Sequence, residues 1–120
     1  MEVSRDEFER YVHEGIADLP DWVKAKLTNL AFIVDDTLQN INDEPMFGLY
    51  EGVPLIERGD DSLSMPDKIT IFMCTICDSY DSRDKVRACV KNTVWHEVAH
   101  FFGHEEAWIE DEELKRGKIL

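Results

Sequence analysis

The 120-residue sequence predicts an α+β domain with amino-terminal helices, a small mixed sheet, and a central helix near the carboxyl end. Three observations carry this prediction. Apolar residues recur at helical spacing near the start, short apolar runs occupy the middle, and a long apolar helix pattern runs from Asp84. The length suits a single domain over residues 1–120, able to bury about two-thirds of the surface its unfolded chain exposes. Hydrophobic residues make 43% and charged residues 32%, the balance of a globular chain rather than a disordered one.

Ser4 followed by Glu7 reads as a capping box, and Phe8, Tyr11, Val12, Gly15, Ile16 and Leu19 then keep the period of a helix. Pro20 ends it, and Asp21 is placed to cap a short second helix carrying Trp22, Val23 and Leu27. Leu30 to Val34 reads as a buried strand that stops at Asp35-Asp36. Pro45, Gly48, Gly52 and Pro54 punctuate the next stretch, and Gly59-Asp60-Asp61 is turn-like, so short extended pieces and loops are expected there. Pro66-Asp67 opens a second strand, Ile69 to Met73, extending to Cys77. Asp78 to Ser82 is a polar turn that supplies the cap of the long helix. Along that helix Val86, Cys89, Val90, Thr93, Val94, Val98, Phe101 and Phe102 cover more than one face, which predicts a position in the middle of the domain. Gly103 is its natural stop. Glu105 to Leu120 is expected to be a short acidic helix and a frayed tail.

Charge excludes some functions. Thirteen basic against 26 acidic residues give a net charge of −13, which repels phosphate backbones and anionic membrane surfaces. The longest apolar run, Leu30 to Val34, is far short of the roughly 20 residues a membrane span needs. The amino terminus alternates charges and lacks a signal-peptide core, so a cytoplasmic location is expected. Three cysteines, Cys74, Cys77 and Cys89, fit a reducing compartment better than a disulfide framework. With Cys74 and Cys77 assigned to a strand, their side chains face opposite sides, no second pair exists, and all three are expected to pack as small hydrophobes.

The central helix contains His96-Glu97-Val98-Ala99-His100. Histidines four apart lie on one helix face with Cβ atoms about 5–6 Å apart. Both imidazoles can therefore reach one ion at the zinc–nitrogen distance of about 2.0–2.1 Å. Glu97 lies about 100° round from His96. It is poorly aimed as a ligand but suited to accept a proton from a water whose pKa zinc lowers to about 7. The unpaired carbonyls at the helix end also favour a cation. A catalytic zinc needs a third protein ligand and an open position. Glu106, just beyond the turn at Gly103, is the first candidate and His104 the second; Glu105 and Glu110 stay open. Asn92 to Leu114 holds seven acids and no lysine or arginine, and most of those acids read as a solvated face.

The stretch HEVAHFFGHEE resembles the extended zincin motif His-Glu-x-x-His-x-x-Gly-x-x-His/Asp, with Glu106 in the last position. GLYEGVPL at 48–55 and the strand segment at 66–71 are similar to the small bacterial zincin-like metallopeptidases, also called minimal metalloproteases. The resemblance spans nearly the whole chain. It implies a minimal zincin-like fold, Zn2+ as cofactor, His96 and His100 as ligands, Glu97 as general base and an acid at 106 as third ligand. Two departures stand out. Every methionine (Met1, Met46, Met65, Met73) precedes the helix, so the methionine turn of larger relatives is missing. Only sixteen residues follow His104, so a shallow, open cleft for a short or flexible peptide is expected.

Trp95 and Trp108 flank the motif and are expected to pack, and His13 on the first helix is expected to be exposed. Tyr50, between two glycines, is a candidate for the cleft, where a phenol could donate to a developing oxyanion. The leading expectation is a zinc metallopeptidase acting on a peptide or protein. The rivals are a non-catalytic metal-binding or protein-interaction domain and a metal-dependent nuclease, the last opposed by the acidic surface.

Overall fold

The computed structural model describes residues 1–27, 29–37, 40–41, 44–52, 67–104 and 112. Helix α1 (Arg5–Ala17) starts at Ser4, whose hydroxyl accepts from the Glu7 amide at 3.1 Å. The reciprocal arm of a capping box is replaced: the Glu7 carboxylate accepts from the Tyr11 hydroxyl at 3.0 Å and from Arg83 at 3.3 Å. Pro20 is itself the cap of the one-turn helix α2 (Asp21–Lys24), one residue earlier than Asp21, because a proline needs no amide partner there. Val23 of α2 is buried, whereas Trp22 is 66% exposed and meets Phe102 only edge-on.

Strand β1 (Leu30–Asp35) follows, then the two-residue strands β2 (Asn40–Ile41) and β3 (Glu44–Pro45), which pair antiparallel. Strand β4 (Gly48–Glu51) and strand β5 (Asp67–Phe72) complete a three-stranded sheet of order β1-β5-β4. β5 lies parallel to β1, with Leu30 opposite Asp67, and antiparallel to β4, with Gly48 opposite Ile71. As the centre strand β5 is buried at five of its six positions.

The second strand does not run on to Cys77. After Phe72 the chain turns directly into helix α3 (Met73–Ser79), so Cys74 and Cys77 stand three apart on a helix rather than on opposite faces of a strand. The apolar run through Cys77 is compatible with either state, and Phe72 offers no side-chain cap to mark the change.

Ser82 then caps helix α4 (Arg83–Phe101), accepting from the Lys85 amide at 3.2 Å. α4 lies between α1 and the sheet, the central position its all-round apolar pattern predicts. Val86, Val90 and Val94 are fully buried along it, together with Phe8, Ile69, Ile71 and Ile76 from the surrounding elements. Three cations spaced four apart on α4 pair with acids at α1 and its carboxyl end: Arg83 with Glu7, Arg87 with Glu14, and Lys91 with Asp18. Trp95 packs against this core, and His13 is exposed. Trp108 and the acidic tail from Glu105, except Glu112, lie outside the described residues.

Candidate metal centre

The last two turns of α4 carry His96, Glu97 and His100, and the helix ends where its sequence says it should. Gly103 takes φ of 95°, a left-handed conformation that costs a side-chain-bearing residue about 1–2 kcal/mol. Its amide bonds the His100 carbonyl at 2.8 Å, and the His104 amide reaches back to the Ala99 carbonyl at 3.1 Å. This paired closure satisfies two of the orphaned carbonyls and turns the chain sharply after the second histidine.

The two imidazoles lie edge-on to each other, with ring centroids 5.1 Å apart and planes inclined by 61°. Two imidazoles bound to one tetrahedral zinc through nitrogens at about 2.0–2.1 Å have centroids about 5 Å apart. The observed separation fits that donor pair. His96 Nε2 lies 4.0 Å from Glu97 Oε2, so the outer nitrogen of the first histidine and the carboxylate share one space. Both histidines are partly buried, and Glu97 is only 7% exposed.

Glu97 is held there by a close approach of the sheet. A Cβ on Gly48 would stand 2.6 Å from Thr93 Cγ2 and 3.1 Å from Glu97 Cγ, so only a glycine lets β4 lie this close to α4. From the sequence Gly48 reads as chain punctuation; its role depends on a contact between residues about fifty apart, which no local pattern reveals. Tyr50, further along β4, donates its hydroxyl to Asp67 Oδ2 at 2.6 Å, and its ring meets Phe101 edge-on at 5.9 Å. Asp67 is 2% exposed at the start of β5. The phenol has one proton and gives it to this carboxylate, and Tyr50 lines the opening beside Glu97 and His100.

An opening of about 320 Å3 has walls that include Gly48, Tyr50, Glu97, His100, Gly103 and His104, while His96 stands beside it, next to Glu97 and His100, and is not one of its lining residues. From Asn92 to His104 the chain carries no lysine or arginine that would oppose a divalent ion. Among the described residues no group of three His, Cys, Asp or Glu side chains gathers in metal-holding geometry. Glu106, Glu105 and Glu110 lie outside the described residues. His96 and His100 would supply two of the three protein ligands that a catalytic zinc needs, with Glu97 beside them. Among the described residues, no helix is long and apolar enough to cross a membrane.

Comparison with known proteins bears on the fold and the family. No curated protein matches the chain at a significant level. A conserved hypothetical protein from Thermo thermophilus shares its fold, with a TM-score of 0.59 and 18% identity over 94% of this chain and 98% of the other. A family model described as zincin-like metallopeptidase matches residues 27–116, taking in the sheet, both following helices and the histidine motif. The chain belongs to the zincin-like metallopeptidase family.

Proposed function

We propose that the chain hydrolyses peptide bonds with zinc held by His96, His100 and Glu106, and with Glu97 as general base. The observation that carries this reading is the shared opening in which Glu97 and His100 meet β4, with His96 Nε2 4.0 Å from the Glu97 carboxylate. Zinc, when bound, supplies a Lewis acid that polarises the scissile carbonyl and makes water a better nucleophile at neutral pH.

The chain's own residues supply the rest. Glu97 takes a proton from the attacking water on a carboxylate oxygen and delivers it to the departing amine, exchanging the roles of base and acid. Its burial between α4 and β4 limits its rotamers, so the carboxylate is already aimed when substrate arrives. β4 is an edge strand of the described sheet, and an extended peptide can align along it by main-chain hydrogen bonds. The Tyr50 ring, fixed by the bond to Asp67, forms a wall of the cleft.

The test separates metal binding from catalysis. Glu97→Gln is expected to keep its zinc and lose hydrolysis of a mixed peptide library by about 100-fold or more. His96→Ala is expected to lose both. A Gln variant that cleaves like the parent contradicts the assignment of the base, and a zinc-loaded parent inert against the library favours the non-catalytic metal-binding rival.

A further inference from the structure

We propose that Cys74 and Cys77 form a reversible dithiol–disulfide pair, closed by exchange with a small-molecule disulfide admitted to the open cavity beside α3. Three residues of α-helix, at a rise of about 1.5 Å and a turn of about 100° each, bring two Cα atoms about 5 Å apart. That lies within the span of about 4.4–6.8 Å over which a disulfide closes, and the Cβ atoms, about 5–6 Å apart at this spacing, must draw in to about 3.5–4.5 Å, so closure tightens the first turn of α3, which has no side-chain cap. Both cysteines are free and partly exposed, and both line one cavity of about 970 Å3. Its other walls mix apolar groups, Val3 and Met73, with charged ones, Glu2, Asp36, Asp78 and Arg83. The site is separate from the histidine motif, and it does not depend on the hydrolase reading.

The two thiols are not equivalent. Cys77 packs against the core, and burial pushes its thiol up from the ordinary range, with Cys74 adding to the rise and a nearby amino-terminal charge opposing it. Cys74 therefore opens the exchange and Cys77 resolves it. The Cys74 thiolate attacks one sulfur of the disulfide RSSR, forming Cys74–S–SR and expelling one thiolate, which takes up the proton released from Cys74. Cys77, losing its proton to solvent, attacks the Cys74 sulfur and expels the second thiolate, which is protonated in turn. Two protein thiols and RSSR become one protein disulfide and two RSH, with two electrons passing to RSSR. The third cysteine is an internal reference: Cys89 is 5% exposed on α4, with its sulfur 3.8 Å from Thr93 Oγ1.

The experiment equilibrates the full chain in buffers of reduced and oxidised glutathione, quenches with acid, and reads intact mass and alkylatable thiols. The parent is expected to lose two hydrogens and two thiols together, with Cys89 still alkylated after denaturation and dithiothreitol restoring all three. Cys77→Ser is expected to stop at one glutathione on Cys74, in an adduct lasting about 100-fold longer than in the parent, because the intramolecular attack is gone. A parent that keeps three thiols in buffers that modify Cys77→Ser overturns the proposal. So does a parent that collects two glutathiones with no internal bond. The parent's mass alone decides the matter should the variant fail to fold.

Discussion

The two halves of α4 divide the labour of the molecule. The first half is basic: Arg83, Arg87 and Lys91 face the acids of α1 and its carboxyl end, and Val86 and Val90 fill the core behind them. The second half, from Asn92 on, has no basic side chain other than histidine, touches the sheet through Gly48, and carries His96, Glu97 and His100. One helix thus serves as anchor and as ligand platform. Cations are confined to the half where they hold a scaffold, and kept from the half where they would oppose a metal ion. A site on a packed helix is also more precisely aimed than one on a loop.

The comparison predicts that damage to the second half falls on catalysis and damage to the first falls on stability alone. Gly48→Ala should have the largest effect. Its methyl group lands 2.6 Å from Thr93 Cγ2, so β4 must withdraw, at a cost of about 1–3 kcal/mol in stability measured by urea unfolding. Hydrolysis should fall by about ten-fold or more, since Glu97 loses its backing. Gly103→Ala comes next: the left-handed φ of 95° should cost about 1–2 kcal/mol and loosen the turn after His100, read as weaker zinc retention against a chelator.

The smallest effect belongs to the anchor. The Tyr11 hydroxyl, then Arg83, hold the Glu7 carboxyl below its ordinary value of 4.5 against an opposing effect of burial. A depressed folded pKa stabilises above the unfolded value, and that stabilisation disappears as pH falls through the folded value. Glu7→Gln should therefore flatten the loss of urea stability between about pH 5 and pH 3, with zinc content and hydrolysis at neutral pH unchanged. A fall in neutral-pH activity would break the division between the halves.

Sequence legibility follows the same line. α4 can be read because nineteen residues give the helical period room to repeat, and because Ser82 and Gly103 mark its ends chemically. The histidine pair inherits that legibility, since its meaning requires only that the segment be helical. The seven residues of α3 give no such signal: Met73 to Cys77 continues the apolar run of β5, with no proline, glycine or capping side chain between. A strand there would send the two cysteines to opposite faces, and the helix reunites them. Contacts between distant segments are illegible for a different reason. The hydrogen bond from Tyr50 to Asp67 and the approach of Gly48 to Glu97 exist only once β4 is paired with β5 and laid against α4.

Zinc content tests the central claim most directly. Protein purified without chelator is assayed for bound metal in the parent and in His100→Ala, with circular dichroism confirming that the helices persist. The account predicts about one zinc per chain in the parent and little in the variant, because one imidazole with a single carboxylate cannot hold the ion. Equal zinc in both proteins, or a folded parent that takes up none when zinc is supplied, would contradict it.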